Sequence, residues 1–357
     1  MTKEQSLKYR VNLVLLIVTS IIISSCSGQS DKASLQSERT SLTVLPSTTD
    51  QQIVQPPDQI SQVVRIVFQD SKGHLWFGTQ NGAYRYRDGL LTHIGEIKSE
   101  TGEGATIKAI IEDKDGNIWL GHTGGISKVT GGEVVNYYQS DGLISDDVWC
   151  LAADQEGKIW IGTIEGLCVF DGESFSIFDL PEGEIDTTLA ISSTKMVHSI
   201  LEDSKGVLWL STNAGLLSYS EGVLTNMNST IGIKTSFINE IYEDDNGSYW
   251  IATKEDLYHW DESGVRSIAA DHLEIGKGIG SIEKDSKGQI WFVSNQHDLY
   301  TLDGEALTKY DKTENNKGPV VFDIFKDKEG RLWFVGYGGA YRLEDGRFVN
   351  ITKDGPW

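Results

Sequence analysis

The sequence predicts an all-β fold, a seven-bladed β-propeller with four antiparallel strands in each blade. One pattern, first met as "DSKGHLWFGTQNGAYRY" at residues 70–86, occurs seven times, and its tryptophans lie 41 to 49 residues apart. A repeat of about 40–45 residues with four short apolar runs is typical of a propeller blade. None of these runs has helical length or helical period. The repeated tryptophans are Trp76, Trp119, Trp160, Trp209, Trp250, Trp291 and Trp333.

The third repeat shows the four predicted strands, named A to D in chain order. Strand A covers 148–154, and a glycine-containing turn leads to strand B at 159–163. Strand C follows at 167–170, and an Asp-Gly pair, a hairpin signal, leads to strand D at 174–178. Adjacent residues of strand B point to opposite faces, yet all are apolar, so both faces must be buried. Blades stacked face to face around an axis meet this demand.

The repeated Asp, Gly and Trp of the pattern have three possible interpretations. A calcium loop is disfavoured because several copies carry Lys where an oxygen ligand is needed. The box found in sialidase-type propellers places Asp and Gly two residues apart, whereas Asp70 and Gly73 are three apart here, as in every copy. A scaffold role is favoured. The Asp binds turn amides, the Gly adopts a positive φ, and the Trp packs between blades.

The repeat D-x-x-G-x-h-W-h-G-T-x-x-G-L resembles the two-component regulator propeller repeat, and "DQEGKIWIGTIEGL" at residues 154–167 matches it almost throughout. The fifth and sixth copies depart from it at the closing Gly-Leu. The resemblance covers about 290 residues and implies a sensor-type propeller outside the cytoplasm. In that family such propellers are sensor parts of hybrid histidine kinases, and several recognise glycan fragments. No kinase or receiver motif is present in this sequence, so kinase activity is not implied.

The N-terminal residues predict export and lipid anchoring. Residues 1–25 combine basic residues with an apolar run, which is typical of a signal peptide, and the run is too short for a comfortable membrane span. The sequence around Cys26 resembles the bacterial lipobox, where the cysteine is lipidated; an ordinary signal peptide is the alternative. Residues 26–57 then form a disordered tether with a reach of roughly 30 Å. Residues 58–357 form the propeller. The compartment is periplasmic or the outer-membrane or cell surface.

Composition restricts the partners. The formal net charge is −21, which argues against nucleic-acid binding because that needs clustered Lys and Arg. Cys150 and Cys168 fall on strands A and C of one blade, about 9.5 Å apart, beyond disulfide reach. Both are therefore predicted to be buried free thiols. No cofactor is expected.

A ligand site should lie where the blades differ. Strand A begins and strand B ends at the same face, so the D–A and B–C loops share one rim. Five residues before each repeat Asp the sequence varies, while the residue just before is always Val or Ile. We call the variable set the rim ring, and its members are Arg65, Lys108, Trp149, His198, Asn239, Gly280 and Phe322. Trp149 is the sharpest candidate, since an aromatic side chain takes a position that is polar in several blades.

The B–C loops add further candidates, and one D–A loop is unusually long. The loop candidates are His122, Glu165, Asn213, Lys254, Glu255, Gln296, His297 and Tyr337. Aromatic faces beside Asn, Arg and Glu would suit an oligosaccharide. The loop at 179–196 carries the excess residues of the 49-residue spacing and is predicted to act as a lid or specificity wall. The segment 311–319 is a smaller candidate.

Three functions follow from these features. The first is an extracytoplasmic, sensor-type lipoprotein that binds an oligosaccharide or another small ligand on the rim. The second is a platform for a membrane signalling or transport protein. The third is a metal-dependent lyase like the streptogramin lyases, which would use His122 or His198, although no metal-ligand or triad spacing stands out. The way the ring closes stays open: blade seven is complete by itself, or "QQIVQ" at 51–55 adds an outer strand.

Overall fold

A computed structural model describes residues 58–188, 192–269, 278–295, 298–310 and 320–357. The predicted signal peptide, Cys26 and the tether lie outside the described residues. The described residues form seven four-stranded antiparallel sheets, each built from strands that follow one another in the chain. The predicted fold class, an all-β seven-bladed propeller, is confirmed.

Each blade runs from its inner strand A to its outer strand D. Blades 1 to 4 contain β1 (Val64–Gln69), β2 (Leu75–Thr79), β3 (Gly82–Arg87), β4 (Leu90–Ile94); β5 (Ile107–Glu112), β6 (Ile118–His122), β7 (Gly125–Thr130), β8 (Glu133–Tyr137); β9 (Val148–Ala153), β10 (Ile159–Thr163), β11 (Gly166–Phe170), β12 (Phe175–Phe178); β13 (Val197–Glu202), β14 (Leu208–Thr212), β15 (Gly215–Ser220), β16 (Val223–Asn226). Blades 5 to 7 contain β17 (Ile238–Glu243), β18 (Tyr249–Thr253), β19 (Leu257–Asp261), β20 (Gly264–Ser267); β21 (Ile279–Lys284), β22 (Ile290–Ser294), β23 (Asp298–Asp303), β24 (Ala306–Lys309); β25 (Val320–Lys326), β26 (Leu332–Tyr337), β27 (Gly339–Glu344), β28 (Arg347–Ile351).

Helical structure in the described ranges is limited to two short turns. A 3₁₀ turn covers Gln139–Asp141, and α1 covers Asn228–Ile231. No helix in the described part of the chain has the length and apolar character needed to cross a membrane.

Among the described residues, each blade is built from its own four strands and the ring closes by contact between inner strands. The seven inner strands contact each other in chain order, and β25 contacts β1. Blade seven consists of its own four strands, as the first closure alternative expected; the segment "QQIVQ" of the second alternative lies outside the described residues. The chain ends support the junction: Gln59 forms a β-bridge with Thr352, and Val63 forms one with Tyr337.

A buried Asp–Trp hydrogen bond recurs in every blade. Each repeat tryptophan donates its indole N–H to the repeat Asp, with N–O distances of 2.8–3.3 Å. In six blades the other carboxylate oxygen accepts an amide of the A–B turn at 2.8–2.9 Å. The turn glycines have φ of +78° to +89°, which L side chains rarely adopt. The scaffold interpretation of the repeat is confirmed.

The same tryptophans pack against the next blade. Trp119 lies 5.4 Å from Phe170 of blade 3, and Trp333 lies 5.7 Å from Phe77 of blade 1. The B strands are buried at every position, apart from the last residue of β26. Burial of both faces, as predicted, therefore comes from the blades stacking on each other.

The two cysteines are free and buried, as predicted. The Cys150 thiol donates to the carbonyl of Val197 in the next blade, and the Cys168 sulfur accepts the amide of Ile144. Burial raises the pKa of both thiols, which favours the unreactive protonated form.

Replacing Asp203 by Ala should destabilise the fold strongly. Its carboxylate accepts the Trp209 indole N–H at 2.8 Å and the Tyr249 hydroxyl at 2.6 Å, and both donors would be left buried and unpaired. We expect the free energy of unfolding to fall by about 3 kcal/mol, measured by urea unfolding. Glu173→Ala, at an exposed turn position, is the control. Equal effects of the two changes would contradict the role given to the Asp–Trp bond.

Replacing Trp357 by Ala should weaken the closure of the ring. The indole stacks on Tyr86 of blade 1 at 4.0 Å and packs against Phe77 at 5.9 Å. We expect a loss of about 2 kcal/mol, below the full cost of a buried aromatic, because the side chain is only half-buried. Leu90→Ala, on the exposed edge of the same blade, serves as the control and should change stability by less than about 0.5 kcal/mol.

Candidate functional site

The rim is shaped by a threonine at the end of strand B. In four blades this hydroxyl donates to the carbonyl three residues later, at 2.7–2.9 Å, and accepts the amide two residues later. Both bonds lie inside the B–C turn, so the turn keeps one shape while its exposed residues differ. The four threonines are Thr79, Thr163, Thr212 and Thr253.

The rim ring coincides with a β-bulge in strand A. In six blades the residue left out of the register between strands A and B is the ring residue itself. In blade 6 the irregularity falls one residue later, at Ser281, which has φ of +48°. A bulged residue is free of the ladder and its side chain is re-aimed. The Val or Ile just before it is 0–2% exposed in all seven blades.

Blades 7, 1, 2 and 3 bring aromatic and cationic side chains together. The guanidinium carbon of Arg65 lies 4.7 Å from the Phe322 ring centre, and the Phe322 ring lies 4.9 Å from that of Tyr337. Lys108 Nζ lies 3.9 Å from the Trp149 ring centre. We call this set, together with Asp147, the half-rim; its members are Arg65, Lys108, Asp147, Trp149, Phe322 and Tyr337.

Asp147 links Lys108 to Trp149. It forms an ion pair with Lys108, and it accepts the Trp149 indole N–H at 3.1 Å. Burial lowers the pKa of Lys108, and the bond to Asp147 opposes that shift. Burial also lowers the pKa of Arg65, against the opposing charges of Tyr337 and Asp147. Sequence reasoning did not single out Asp147; its position two residues before Trp149 was the available signal.

The remaining members of the rim ring are His198, Asn239 and Gly280, and the two with polar side chains are hydrogen-bonded within the protein. His198 Nε2 lies 2.7 Å from Asn213 Oδ1, and Asn213 is fully buried. Asn239 donates to the carbonyl of Ile279 at 2.7 Å, and Gly280 offers no side chain. These ring members lie near the rim, but their polar groups are already engaged.

The long loop at 179–196 docks on blade 4. Asn213 donates to Ser192 Oγ at 3.1 Å and to the Ser193 carbonyl at 2.7 Å. Gly183 lies so close to the Asn213 backbone that a Cβ there would be 2.1 Å from its carbonyl oxygen. Asp186 forms an ion pair with Lys254 of blade 5. The described part of the loop therefore forms a fixed wall over blades 4 and 5, while 189–191 lie outside the described residues.

The remaining loop candidates are scattered. His122 lies beneath the rim, not on it: the side chain is fully buried, its Nε2 lies 2.9 Å from Ser127 Oγ, and burial lowers its pKa to about 4. Glu165 and Glu255 are exposed in separate B–C turns. Gln296, His297 and the segment 311–319 lie outside the described residues.

Another histidine has triad-like neighbours but no access for a substrate. His259 lies 3.0 Å from Ser248 Oγ and 3.5 Å from an oxygen of Asp261. Ser248 is 4% exposed and His259 is 7% exposed, so both are enclosed in blade 5. Within the described ranges, no group of three or more His, Cys, Asp or Glu side chains is arranged to hold a metal ion.

Three acidic side chains on neighbouring A strands were not anticipated from the sequence. Glu240, Glu283 and Asp323 come from blades 5, 6 and 7 and interact electrostatically. Asp323 accepts the amide of Val67 in blade 1 at 3.2 Å. Burial, with the charge of Asp323 second, raises the pKa of Glu240 to about 8. Burial, opposed by that amide bond, raises the pKa of Asp323 to about 7. The acids bridge adjacent inner strands at positions that are apolar in blades 1 and 2.

Replacing Glu240 by Gln should make stability less dependent on pH. A carboxyl with a raised pKa in the fold carries no penalty below its unfolded pKa of about 4.5; the penalty grows up to about pH 8 and is complete above it. Glu240→Gln should therefore stabilise the protein at pH 8.5 relative to pH 5 by at least about 1.4 kcal/mol. Urea unfolding at both pH values measures this. The exposed Glu133→Gln is the control, and a pH-independent effect of Glu240→Gln would contradict the prediction.

Part of the repeat region is similar to a known family of propeller repeats. Four segments match the family model described as two component regulator propeller: 58–81, 101–124, 142–165 and 191–214. Over 194 residues, 49% of the chain, the sequence is 25% identical to a protein named histidine kinase P4 from Formosa agariphila. That stretch is 13% of the length of the relative, so the chain spans a small part of the curated protein it matches.

Solved structures share the architecture. The extracellular domain of a hybrid two-component system from B. thetaiotaomicron is 25% identical, with a TM-score of 0.61 over 79% of this chain and 39% of that one. Another such domain from B. thetaiotaomicron is 19% identical, with a TM-score of 0.61 over 80% and 38% of the two chains. Virginiamycin B lyase from Staphylococcus aureus is 15% identical, with a TM-score of 0.60 over 78% and 93%. At 19% and 15% identity, the structural similarity shows only a shared fold.

Proposed function

We propose that this chain, a seven-bladed propeller in which four segments match the two component regulator propeller model, is a sensor-type binding protein that recognises an oligosaccharide on its half-rim. The chain is similar to extracellular domains of sensor systems, which suggests an exported protein. Removal of residues 1–25 and lipidation of Cys26, which would hold the propeller at a bacterial membrane, are part of the proposal.

One observation carries the binding proposal: the half-rim places two groups of aromatic and charged side chains on neighbouring blades at one rim. Trp149 and Phe322 offer aromatic faces, on which the C–H groups of a sugar ring can pack. Tyr337 is 57% exposed beside Phe322, an unusual exposure for a large aromatic residue. Lys108 and Asp147 add hydrogen-bonding groups that are already held in place.

Binding is favoured over catalysis by the state of the histidines. The lyase hypothesis would use His122 or His198 as a base, yet both are hydrogen-bonded inside the fold, and burial lowers the pKa of each. The protein-platform hypothesis has one supporting observation, the exposed apolar side chains on the outer strands of blades 1 to 4, which are Leu90, Val135, Ile177 and Val223. They lie one to a blade, whereas the half-rim residues form two groups of contacting side chains that interact electrostatically.

Replacing Trp149 or Phe322 by Ala should weaken oligosaccharide binding by about tenfold each, equivalent to about 1.4 kcal/mol of lost contact. Array screening of residues 27–357 would identify binding oligosaccharides, and calorimetry with the strongest would measure the change. Glu255→Ala, an exposed rim residue of blade 5, should bind like the wild type. Unchanged binding by both aromatic variants, or capture of a protein through the outer strands with no saccharide bound, would overturn the proposal.

A further inference from the structure

In the described residues, the half-rim contains one cation, Arg65, that forms no ion pair and interacts with Asp147 only at longer range. Arg65 and Lys108 supply two cations and Asp147 supplies one carboxylate, which is bound to Lys108. Within the described part of the chain, the Arg65 guanidinium forms no ion pair or hydrogen bond, and its contact is with the face of Phe322. The net charge of these three side chains is therefore +1, whereas the formal net charge of the whole chain is −21.

Arg65 lacks an ion pair within the described residues, although carboxylates outnumber cations in this chain. The chain has 52 Asp and Glu residues against 31 Lys and Arg. Four of the seven described arginines, namely Arg87, Arg266, Arg331 and Arg342, lie within 4 Å of a carboxylate oxygen. Like Arg65, Arg85 and Arg347 form no ion pair in the described ranges, but they lie on strands β3 and β28 and not at the rim. Arg65 lies at the bulge of β1, as Lys108 lies at the bulge of β5. Lys108 forms an ion pair with Asp147 from a neighbouring loop, whereas no loop supplies a paired carboxylate to Arg65 within the described residues.

The environment of Arg65 favours an anion. The side chain is half-buried, and burial lowers its pKa, so its charge has lost part of its hydration without gaining an acceptor. Packing on Phe322 holds the planar group while leaving its N–H donors unused by the protein. A guanidinium presented in this way matches the paired oxygens of a carboxylate or sulfate.

We propose that Arg65 binds an oxyanion carried by the saccharide, so that the rim recognises an acidic sugar, either a uronate or a sulfate ester. This inference rests on the proposed function and deepens it. Phe322 and Trp149 contact the sugar rings, and Arg65 between them selects the charged residue. Asp147 keeps Lys108 from competing for the anion, so the charge selectivity falls on Arg65 alone.

The test compares matched ligands. The probes are an oligogalacturonate and its carboxyl-reduced counterpart, and a sulfated carrageenan oligosaccharide and its desulfated counterpart, each titrated by calorimetry into residues 27–357. We expect at least one acidic probe to bind more tightly than its neutral counterpart, with an affinity that falls as salt is raised. The acidic probe that binds with the higher affinity shows whether the preferred anion is a carboxylate or a sulfate.

Variants of Arg65 assign the effect to the residue. Arg65→Gln should weaken binding of the acidic probe by roughly tenfold to a hundredfold, as expected for a hydrogen-bonded charge, and leave the neutral counterpart unchanged. Arg65→Lys should restore part of the loss. Arg347→Gln, an exposed arginine on β28, is the control. Thermal unfolding of each variant verifies that the fold is intact.

The outcomes separate the two proposals. If neutral and acidic probes bind equally, with dependence on Trp149 and Phe322 but not on Arg65, the charge inference is overturned and saccharide binding stands. If acidic probes bind and Arg65→Gln has no effect, the charge inference is again overturned. If neither these probes nor the array saccharides bind, both proposals fall.

Discussion

The fold depends on the hydrogen bond between the repeat Asp and the repeat Trp. An indole N–H buried between two blades must have an acceptor, and the carboxylate supplies it while its second oxygen holds the A–B turn in six blades. One side chain thus joins a turn, a strand and the interface with the next blade. Because the arrangement occurs seven times, each blade presents a similar surface to the next, and the ring can close when the seventh meets the first.

That regular framework carries an irregular rim. The bulges lie near the same position of each inner strand, but the bulged side chains differ. The surrounding loops determine which of these side chains are hydrogen-bonded within the protein. On blades 4 and 5 the long loop engages Asn213 and Lys254. On blades 7 to 3 the bulged residues contact each other in cation–aromatic pairs. The long insertion therefore accounts for the engaged side chains of blade 4 and for Lys254 of blade 5, while Asn239 is engaged by the backbone of blade 6.

The sequence predicted the repeated part of the structure well, because repetition averages out local ambiguity. The strands of blade 3 lie within one or two residues of the prediction, and the free cysteines follow from strand spacing. The sequence also identified the rim ring, six of whose residues are the bulged residues of strand A. Burial of single residues could not be predicted: His122 and Asn213 look like rim residues by position, yet both are covered. The ion pair of Asp147 with Lys108 and the cluster around Glu240 could not be predicted either, because these partners are distant in sequence.

The bulge in strand A also bears on how such proteins diversify. A residue outside the ladder contributes no register, so its replacement leaves the strand pairing and the Val or Ile beside it undisturbed. Selection can then exchange arginine, tryptophan, histidine or phenylalanine at this point without redesigning the core. Seven such positions around one opening make a combinatorial surface, in which recognition evolves by single substitutions while the framework stays constant.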